Sequence, residues 1–317
     1  MPRRPSRATA WALAAVLLAA VVWGFNATST KLLYAPDAPV HFDPIALVAA
    51  RAAWSFPLLF GLAIFARPRN LHFTREHAWL MGVAAVCYGP GLTGLYAIAV
   101  AKTSALHAAL FFGLSPPLAA LMGAVFLRER ITALKAAGLG LGVAGALLLA
   151  FGRADQHAGL RGDLLLMLWG VFFGSQAIAV RILSRFYPTL FITGIAGSGG
   201  ALLLVAMCLA AGRFDALTLP LTLDPWTIVN FHLEMVLGLS FVAPMLQMYA
   251  IGSLDVALMS TLGLYGTTLV GLLAAVLILH ERLAPVTIVA ALMLLSALGA
   301  SVWRSRTEAI VLAAETI

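Results

Sequence analysis

The chain has 317 residues, of which 62% are hydrophobic and 10% are charged, and its mean hydropathy is +0.98. A soluble domain carries about 25% charged residues, so this composition excludes a soluble globular protein and predicts an integral membrane protein. The net charge of +7 does not indicate nucleic-acid binding, because most of the basic residues fall on one side of the predicted membrane spans.

Apolar stretches of about twenty residues, the length that crosses a bilayer core as a helix, follow one another along the chain. They are joined by short connections and predict ten spans in chain order: 10–33, 44–66, 78–100, 104–127, 133–152, 162–183, 189–211, 229–251, 255–279 and 284–303. With the N-terminus inside, most of the 20 basic residues lie in cytoplasmic segments. This bias predicts an inner-membrane protein with both termini in the cytoplasm.

The predicted spans 4 and 9 end alike. Residues 115–131 read SPPLAALMGAVFLRERI and residues 267–283 read TTLVGLLAAVLILHERL, and each apolar stretch stops at Glu-Arg followed by an aliphatic residue. The match extends backward, because Tyr-Ala-Ile at 96–98 recurs at 249–251. Two similar peptides in corresponding spans indicate an internal repeat.

A third matching pair of short sequences gives the length of the repeat. Trp-Gly at 23–24 in span 1 recurs at 169–170 in span 6, so each half holds five spans. Because five is odd, the second half must enter the membrane in the opposite sense. We therefore predict an all-α fold of two inverted five-helix repeats, 1–155 and 156–303, around a central cavity, with a C-terminal tail at 304–317. Such halves can open a central site to one side and then to the other.

These stretches resemble a known family. The segment SPPLAALMGAVFLRERI is similar to the hallmark of EamA-type members of the drug/metabolite transporter superfamily, in which a Ser-Pro or Glu-Pro helix ends at Gly-Glu-Arg. WGFNATSTKLL (23–33) resembles their first-span motif and DPIALVAARAAW (43–54) their second. Arg128 and His280 depart from the pattern by replacing the Gly before Glu, and Thr268 stands where the first half has Pro116.

The resemblance implies a ten-helix secondary transporter that exports amino acids or other small metabolites. The YddG-type amino-acid exporters are one branch in which the chain fits, and no motif fixes the branch. A drug or other metabolite exporter of the same fold is the alternative.

Polar and aromatic residues at helical spacing predict where a substrate binds. Such stripes occur in span 1 (Trp23, Asn26, Thr30), in span 4 (His107, Phe111, Ser115) and in span 6 (Trp169, Phe173, Gln176). Each mixes an aromatic ring with hydrogen-bonding groups, as a pocket for a small zwitterionic or aromatic solute requires. The alternative is that the rings pack or face lipid and the hydroxyls bond their own backbone. Asn26 and Gln176 favour a lumen, because an amide that faces lipid is costly.

Helix-breaking residues stand at matching places in spans 3 and 8. They predict hinges, with a packing kink as the alternative, at Gly89, Pro90 and Gly91 and at Pro244, and Pro116 and Pro117 extend the prediction to span 4. Four side chains near the breaks in spans 3 and 8 are candidates to donate to a substrate carboxylate: Tyr88, Tyr96, Gln247 and Tyr249.

Few ionisable residues lie inside the spans. Arg51 lies about 10 Å along its helix from Pro44, and it either snorkels outward or holds an anionic group. Glu234 looks at first like a buried coupling carboxylate, but the repeat places it near the start of its helix, where it suits the helix dipole. His107 either titrates near neutral pH or is hydrogen-bonded near a helix start. Glu129 and Glu281 are predicted to be interfacial anchors.

The sequence also bears on other classes of protein. It contains no His-Glu-x-x-His, no Gly-x-Ser-x-Gly and no paired carboxylates inside the spans, so we predict no enzyme, no cofactor and no metal site. A channel would need a ring of like charges or a filter loop. Arg51 is the only basic residue well inside a span, which favours a neutral or zwitterionic substrate. We predict a monomeric exporter of amino acids or related metabolites, without a protein partner, driven by proton antiport or by downhill exchange.

Overall fold

The structure is a computed structural model, and it describes residues 7–69, 73–127, 133–152, 159–214, 217–221, 224–251 and 256–299. Within these ranges the regular elements are helical and no strand occurs. The residues Arg128 and Glu129 of the first repeat motif, and the predicted tail 304–317, lie outside the described residues.

Ten helical segments follow in chain order. They are α1 (Arg7–Leu33), α2 (Pro44–Phe65), α3 (Arg75–Val100), α4 (Ala105–Phe111 and Ser115–Leu127), α5 (Ala133–Phe151), α6 (Leu160–Leu183), α7 (Thr189–Ala210), α8 (Pro225–Thr227, Ile228–Val242 and Ala243–Ile251), α9 (Val256–Ile278) and α10 (Pro285–Gly299). A 3₁₀ turn at Phe112–Leu114 joins the two parts of α4.

Seven of these helices are long and apolar enough to cross a membrane, namely α1 to α4 and α6 to α8. The other three contain shorter apolar helices, Ala136–Phe151, Leu262–Ile278 and Pro285–Gly299. The chain is therefore a multi-pass membrane protein, as its composition predicts. The count of ten spans stays a prediction.

Aspartate caps begin two of the helices. Asp43 accepts hydrogen bonds from the amides of Ile45 (2.9 Å) and Ala46 (3.1 Å) ahead of α2, and Asp224 accepts one from Thr227 (3.0 Å) ahead of α8. In both places proline occupies the first helical position, where its missing N–H loses no bond. Asp43 also accepts a hydrogen bond from Arg213, which follows α7.

The same contacts set the acidity of the Asp43 carboxyl. Partial burial raises its pKa, but the hydrogen bond from Arg213 and those from the backbone amides lower it, and the net effect is a pKa below the ordinary value. The ionised form is therefore the one that the fold stabilises.

Wide-turn π-helical segments interrupt α3 and α8, at Cys87–Gly94 and Ile228–Val242. Pro90 lies inside the first segment, and Pro244 is the second residue after the other. In each segment a hydroxyl donates to a carbonyl five residues earlier, from Thr93 to Tyr88 (3.2 Å) and from Ser240 to Met235 (3.1 Å). The predicted breaks are therefore sites of altered helix geometry rather than chain reversals.

Glycines bring helices into close contact and show their relative directions. Helices α2 and α7 run antiparallel, and so do α5 and α10. The contacts that fix these directions are Ala63 with Gly194, Leu59 with Gly197, Ala297 with Gly142, and Met293 with Gly145. Under the predicted repeat, α7 is the counterpart of α2 and α10 is the counterpart of α5.

Two other pairs run parallel, α1 with α9 and α4 with α6. Their directions follow from the contacts of Ala20 with Gly266, Val270 with Gly24, Leu118 with Gly170, and Met122 with Gly174. The predicted repeat relates each helix to the one five places later or earlier in the chain. Under this relation α1 corresponds to α6 and α9 to α4, so the first pair corresponds to the second. The same relation converts the contact of α3 with α7 into that of α8 with α2, and both contacts are present.

The connection after α9 caps α4. His280 lies two residues after the end of α9, in the left-handed region with φ 55°. The next residue, Glu281, turns its carboxylate toward α4. Its two oxygens accept from the amides of Ala105 and Leu106, each at 2.8 Å. The second Glu-Arg motif therefore joins two helices, a role that the predicted interfacial anchor does not include.

Candidate functional site

Arg51 turns toward α8 rather than outward along α2. Its Nε donates to Ser240 Oγ at 3.3 Å, and the Ser240 hydroxyl is itself oriented by its bond to Met235 O. The guanidinium also interacts electrostatically with one carboxylate and three phenols: Glu234, Tyr34, Tyr88 and Tyr96. This charged cluster is the first part of the candidate site. It places a cation inside the helical bundle, where an ionisable side chain is energetically costly and usually marks a functional site.

A small cavity adjoins the guanidinium. It has a volume of about 10 Å³ and is lined by residues of α2, α3, α7 and α8, among them Arg51, Ser55, Tyr88, Thr93, Gly197 and Ser240. This volume is close to the minimum that holds one water molecule. A larger solute therefore fits this cavity only if the helices around it separate.

Glu234 lies further into its helix than the sequence predicts. The predicted position near a helix start is wrong, because α8 begins at Pro225 rather than at residue 229. Glu234 is the tenth residue of the helix and is partly buried, and its Oε1 atom is buried without a hydrogen-bond partner. The structure thus places a carboxylate that has an unpartnered acceptor atom within electrostatic range of Arg51.

Four aromatic rings form the second part of the site. Trp169 on α6 is the centre, with ring centroids 4.9 Å from Phe112, 5.6 Å from Tyr96 and 5.6 Å from Phe173. Its indole Nε1 donates to Leu92 O in the wide-turn segment of α3 at 3.1 Å. Tyr96 belongs to both parts of the site, because it also interacts with Arg51. Its hydroxyl is buried without a partner.

The ring from α4 in this aromatic cluster is Phe112 and not the predicted Phe111. The prediction continued regular helix through span 4, whereas the 3₁₀ turn at Phe112–Leu114 changes the angle between successive side chains. Phe111 is 1% exposed and belongs to the hydrophobic core. Ser115, also predicted for the pocket, is buried and donates to Phe112 O at 2.5 Å.

The predicted stripe of α1 lies partly against α8. Trp23 packs on the core cluster that contains Phe231 and Met235, and Thr30 is buried. Asn26 is partly buried, and its Oδ1 atom has no hydrogen-bond partner. On α6, Gln176 Oε1 is likewise buried without a partner.

The candidates near the break of α8 differ from those of α3. Gln247 is partly buried, but Tyr249 is 54% exposed, whereas Tyr96 at the matching place of α3 is 3% exposed. Tyr249 thus stands on the outside of the bundle. The repeat in the sequence is therefore not matched by equal burial of these two tyrosines.

Two of the predicted hinge residues, Gly89 and Gly91, lie where helices pack closely. A Cβ on Gly89 would come within 2.3 Å of Gly200 O on α7, and one on Gly91 within 2.6 Å of the Phe172 ring on α6. Pro117 is buried at the start of the second part of α4, next to Pro116. These contacts explain why small residues surround Pro90, and they leave the hinge role a prediction.

His107 does not face the aromatic cluster. It is 3% exposed and hydrogen-bonded to Asp163 of α6. Of the two alternatives from the sequence, the structure therefore shows the hydrogen-bonded histidine near a helix start. Asp163, which lies near the predicted start of span 6, was not among the residues predicted from the sequence. Among the described residues no group of three or more His, Cys, Asp or Glu side chains could hold a metal ion.

Residues 10–151 match the family model described as the EamA-like transporter family. This match is consistent with the predicted family. EamA-like proteins are membrane transporters, so the match suggests a membrane transporter of small molecules. The matched segment contains Arg51, Tyr96 and Phe112, that is, the guanidinium and two of the four rings of the candidate site.

Other comparisons bear on the fold. No curated protein matches the chain. Fourteen chains of solved structures match it; one of them, a crystal structure described only as that of a protein, is 19% identical with a TM-score of 0.55. The match covers 96% of this chain and 99% of that chain. At this identity the likeness shows the fold alone, and it extends beyond the EamA-like segment to nearly the whole chain.

Proposed function

We propose that this EamA-like transporter exports amino acids or related small metabolites across the inner membrane by alternating access. The observation that carries the proposal is the charged cluster of Arg51 and Glu234. A free amino acid carries one carboxylate and one ammonium group, and the cluster offers a cation for the first and an anion for the second. The unpartnered Oε1 of Glu234 is an acceptor that a substrate ammonium would satisfy.

The aromatic cluster supplies a surface for an apolar or aromatic side chain. Tyr96 joins the two parts, since its ring packs on Trp169 and its hydroxyl interacts with Arg51. An unpartnered buried polar atom costs about 1–3 kcal/mol. Three such atoms, on Tyr96, Asn26 and Gln176, fall on residues that were predicted for the site, which supports a binding role for them.

The directions of the helices support two inverted repeats, 1–155 and 156–303. Counterparts related by inversion must run antiparallel, as α2 and α7 do and as α5 and α10 do. The cavity beside Arg51 lies where α2 and α3 meet α7 and α8, their proposed counterparts. Its small volume fits a closed stage of an alternating-access cycle, in which the two halves must separate to admit a solute.

The test is transport in proteoliposomes with a panel of radiolabelled amino acids. For an amino acid that moves, we compare wild type with Glu234→Gln, and use the 2-oxo acid of the same side chain as an unlabelled competitor. We expect the amino acid to bind about 30-fold or more weakly to the variant, because a buried charge partner contributes 2–5 kcal/mol. Competition by the 2-oxo acid, which has no ammonium group, is expected to change little.

Three further variants test the remaining parts of the site. Arg51→Ala is expected to weaken the amino acid and the 2-oxo acid alike, and Trp169→Ala and Trp23→Ala to impair transport of the same amino acid. Glu76→Gln, an exposed glutamate at the start of α3, is the matched control for Glu234→Gln. If no amino acid moves while another solute does, the substrate class is wrong and an exporter of drugs or other metabolites is favoured.

A further inference from the structure

His107 and Asp163 form a buried hydrogen-bonded pair that the proposed substrate site does not use. Imidazole Nδ1 lies 3.0 Å from Asp163 Oδ2 and 3.2 Å from Oδ1, and Thr103 Oγ1 donates to Oδ1 at 2.5 Å. The two side chains are 4% and 1% exposed. A carboxylate buried to this extent is retained only when it is paired and hydrogen-bonded.

Two glycines allow the chain segments to approach closely enough for this pair. A Cβ on Gly162 would come within 2.7 Å of Thr103 Cβ, and one on Gly159 within 2.2 Å of Lys102 O. The start of α6 therefore rests directly on the residues that precede α4. Asp163, one residue after Gly162, is held within reach of both Thr103 and His107.

The hydrogen bonds of the pair are compatible with an ionised carboxylate. Asp163 Oδ1 accepts from the Thr103 hydroxyl, and we assign the hydrogen between the imidazole and the carboxylate to His107 Nδ1, the tautomer that donates to an ionised Asp163. With a neutral imidazole the pair has a net charge of −1. Adding one proton at Nε2 makes an imidazolium and brings the net charge to zero, without breaking the bonds to Asp163.

Further charges surround the pair. Glu281, from the connection between α9 and α10, bonds the amides of Ala105 and Leu106 beside it. Ionisable residues described at the ends of the flanking elements on this side include Lys31, which is partly buried, and the exposed Lys102, Arg161, His280 and Arg282. The connection 153–158 lies outside the described residues.

The pair is mechanically linked to the aromatic cluster. His107 holds the first part of α4 to α6, and Phe112 follows five residues later, about 7 Å along the helix, where it contacts Trp169 of the same α6. A change in how α4 is held at His107 therefore acts on the segment that carries one ring of the site.

We propose that His107 and Asp163 are a proton-binding site through which transport is coupled to protons. The inference rests on the proposed transport function. In each cycle the imidazole takes up one proton at Nε2 while Nδ1–H stays on Asp163, and it releases that proton to water after the helices rearrange. Substrate and proton then occupy different sites, which share α4 and α6.

The first experiment needs no substrate. Protein labelled with ¹³C and ¹⁵N histidine is titrated by NMR, and the ring signals of His107 are identified by their absence in His107→Gln. We expect these signals to change with pH. In Asp163→Asn, which lacks the carboxylate that faces Nδ1, we expect the pH dependence of these signals to differ from that of the wild type. His77→Gln, which removes a histidine bonded to Tyr187, is the matched control and leaves the His107 transition in place.

The second experiment measures transport under an imposed pH gradient, with an amino acid that the wild type moves. We expect His107→Gln and Asp163→Asn to lose the response to the gradient and His77→Gln to keep it. Ring signals of His107 that stay constant with pH, or a full gradient response in Asp163→Asn, overturn the proton site. If Asp163→Asn does not fold, Thr103→Val removes one bond to the same carboxylate and is expected to move the His107 transition.

The two proposals can fail separately. A wild type that moves no amino acid contradicts the proposed substrate, while the titration of His107 still decides the proton site. A wild type that moves amino acids without any response to the gradient contradicts the coupling and leaves the substrate class standing.

Discussion

Removing the Glu281 carboxylate tests how the second Glu-Arg motif works. Its two oxygens accept from the amides of Ala105 and Leu106 at 2.8 Å each. A hydrogen bond to a charged group contributes about 1.5–3 kcal/mol, and loss of a helix cap about 1 kcal/mol. Water reaches this partly exposed site, and Ser104 still caps the same helix through the amide of His107. We therefore expect Glu281→Ala to lower the free energy of unfolding by about 2–3 kcal/mol.

The two cysteines of the chain provide the assay. Cys87 and Cys208 are both buried and neither forms a disulfide, so a thiol-reactive fluorophore reports unfolding as the detergent-solubilised protein is heated. For a chain of 317 residues a loss of about 1 kcal/mol lowers the unfolding temperature by about 1.5 °C, so Glu281→Ala is expected to unfold on the order of 3–5 °C below wild type. Glu281→Gln keeps one acceptor oxygen and is expected to fall between the two.

The matched control is Glu76→Ala. Glu76 is an exposed glutamate in the first turn of α3, and its loss removes only a favourable charge near a helix start, about 0.3–1 kcal/mol. If Glu281→Ala unfolds at the same temperature as Glu76→Ala, the cap contributes no stability. Glu281 would then act only as the interfacial anchor that the sequence predicts.

Three further changes follow from local geometry. Gly200→Ala puts a Cβ within 2.7 Å of Gly89 N, so we expect the unfolding free energy in the thiol assay to fall by about 2 kcal/mol. Gly61→Ala, where the space is open, is expected to cause no loss of stability, because alanine favours a helix interior over glycine. His280→Gly is expected to raise the unfolding free energy by about 0.5–1 kcal/mol, because φ 55° favours glycine; an unfolding temperature below wild type contradicts this strain. The pKa of Asp43 is lowered in the folded state, so its contribution to stability is present above about pH 4 and is lost as the pH falls through the folded pKa. Stability followed by circular dichroism is therefore expected to fall less in acid for Asp43→Ala than for wild type. An equal loss of stability in acid for both proteins refutes this prediction.

Helix ends with strong local signals were predictable. Span 2 is predicted at 44–66 and observed at Pro44–Phe65, and span 7 is predicted at 189–211 and observed at Thr189–Ala210. A capping residue with proline at the first helical position marks the start of α2. The same signal, Asp224 followed by Pro225, marks the start of α8 and was overlooked, because the apolar run begins four residues later. That error moved Glu234 to the wrong part of its helix.

Long-range pairs were not predictable from one sequence. Arg51 lies 189 residues from Ser240 and His107 lies 56 residues from Asp163, and no local pattern joins them. The 3₁₀ turn at Phe112–Leu114 was not predicted either, and it places Phe112 rather than the predicted Phe111 in the aromatic cluster. Trp169, Phe173 and Tyr96 were predicted for one pocket and are brought together in the structure, although their role in binding is still to be tested.

The two wide-turn segments connect the repeat to the proposed mechanism. Such segments occur often at functional sites, because they leave carbonyls without their usual helical partners. Here the hydroxyls of Thr93 and Ser240 take those carbonyls, and both residues line the cavity beside Arg51. If the halves exchange conformations as proposed, a change from wide turn to regular helix on one side would rotate the residues that follow it. The hydroxyl that holds the Arg51 guanidinium would then be withdrawn as its own helix tightens, and the cation would be free to follow a departing carboxylate.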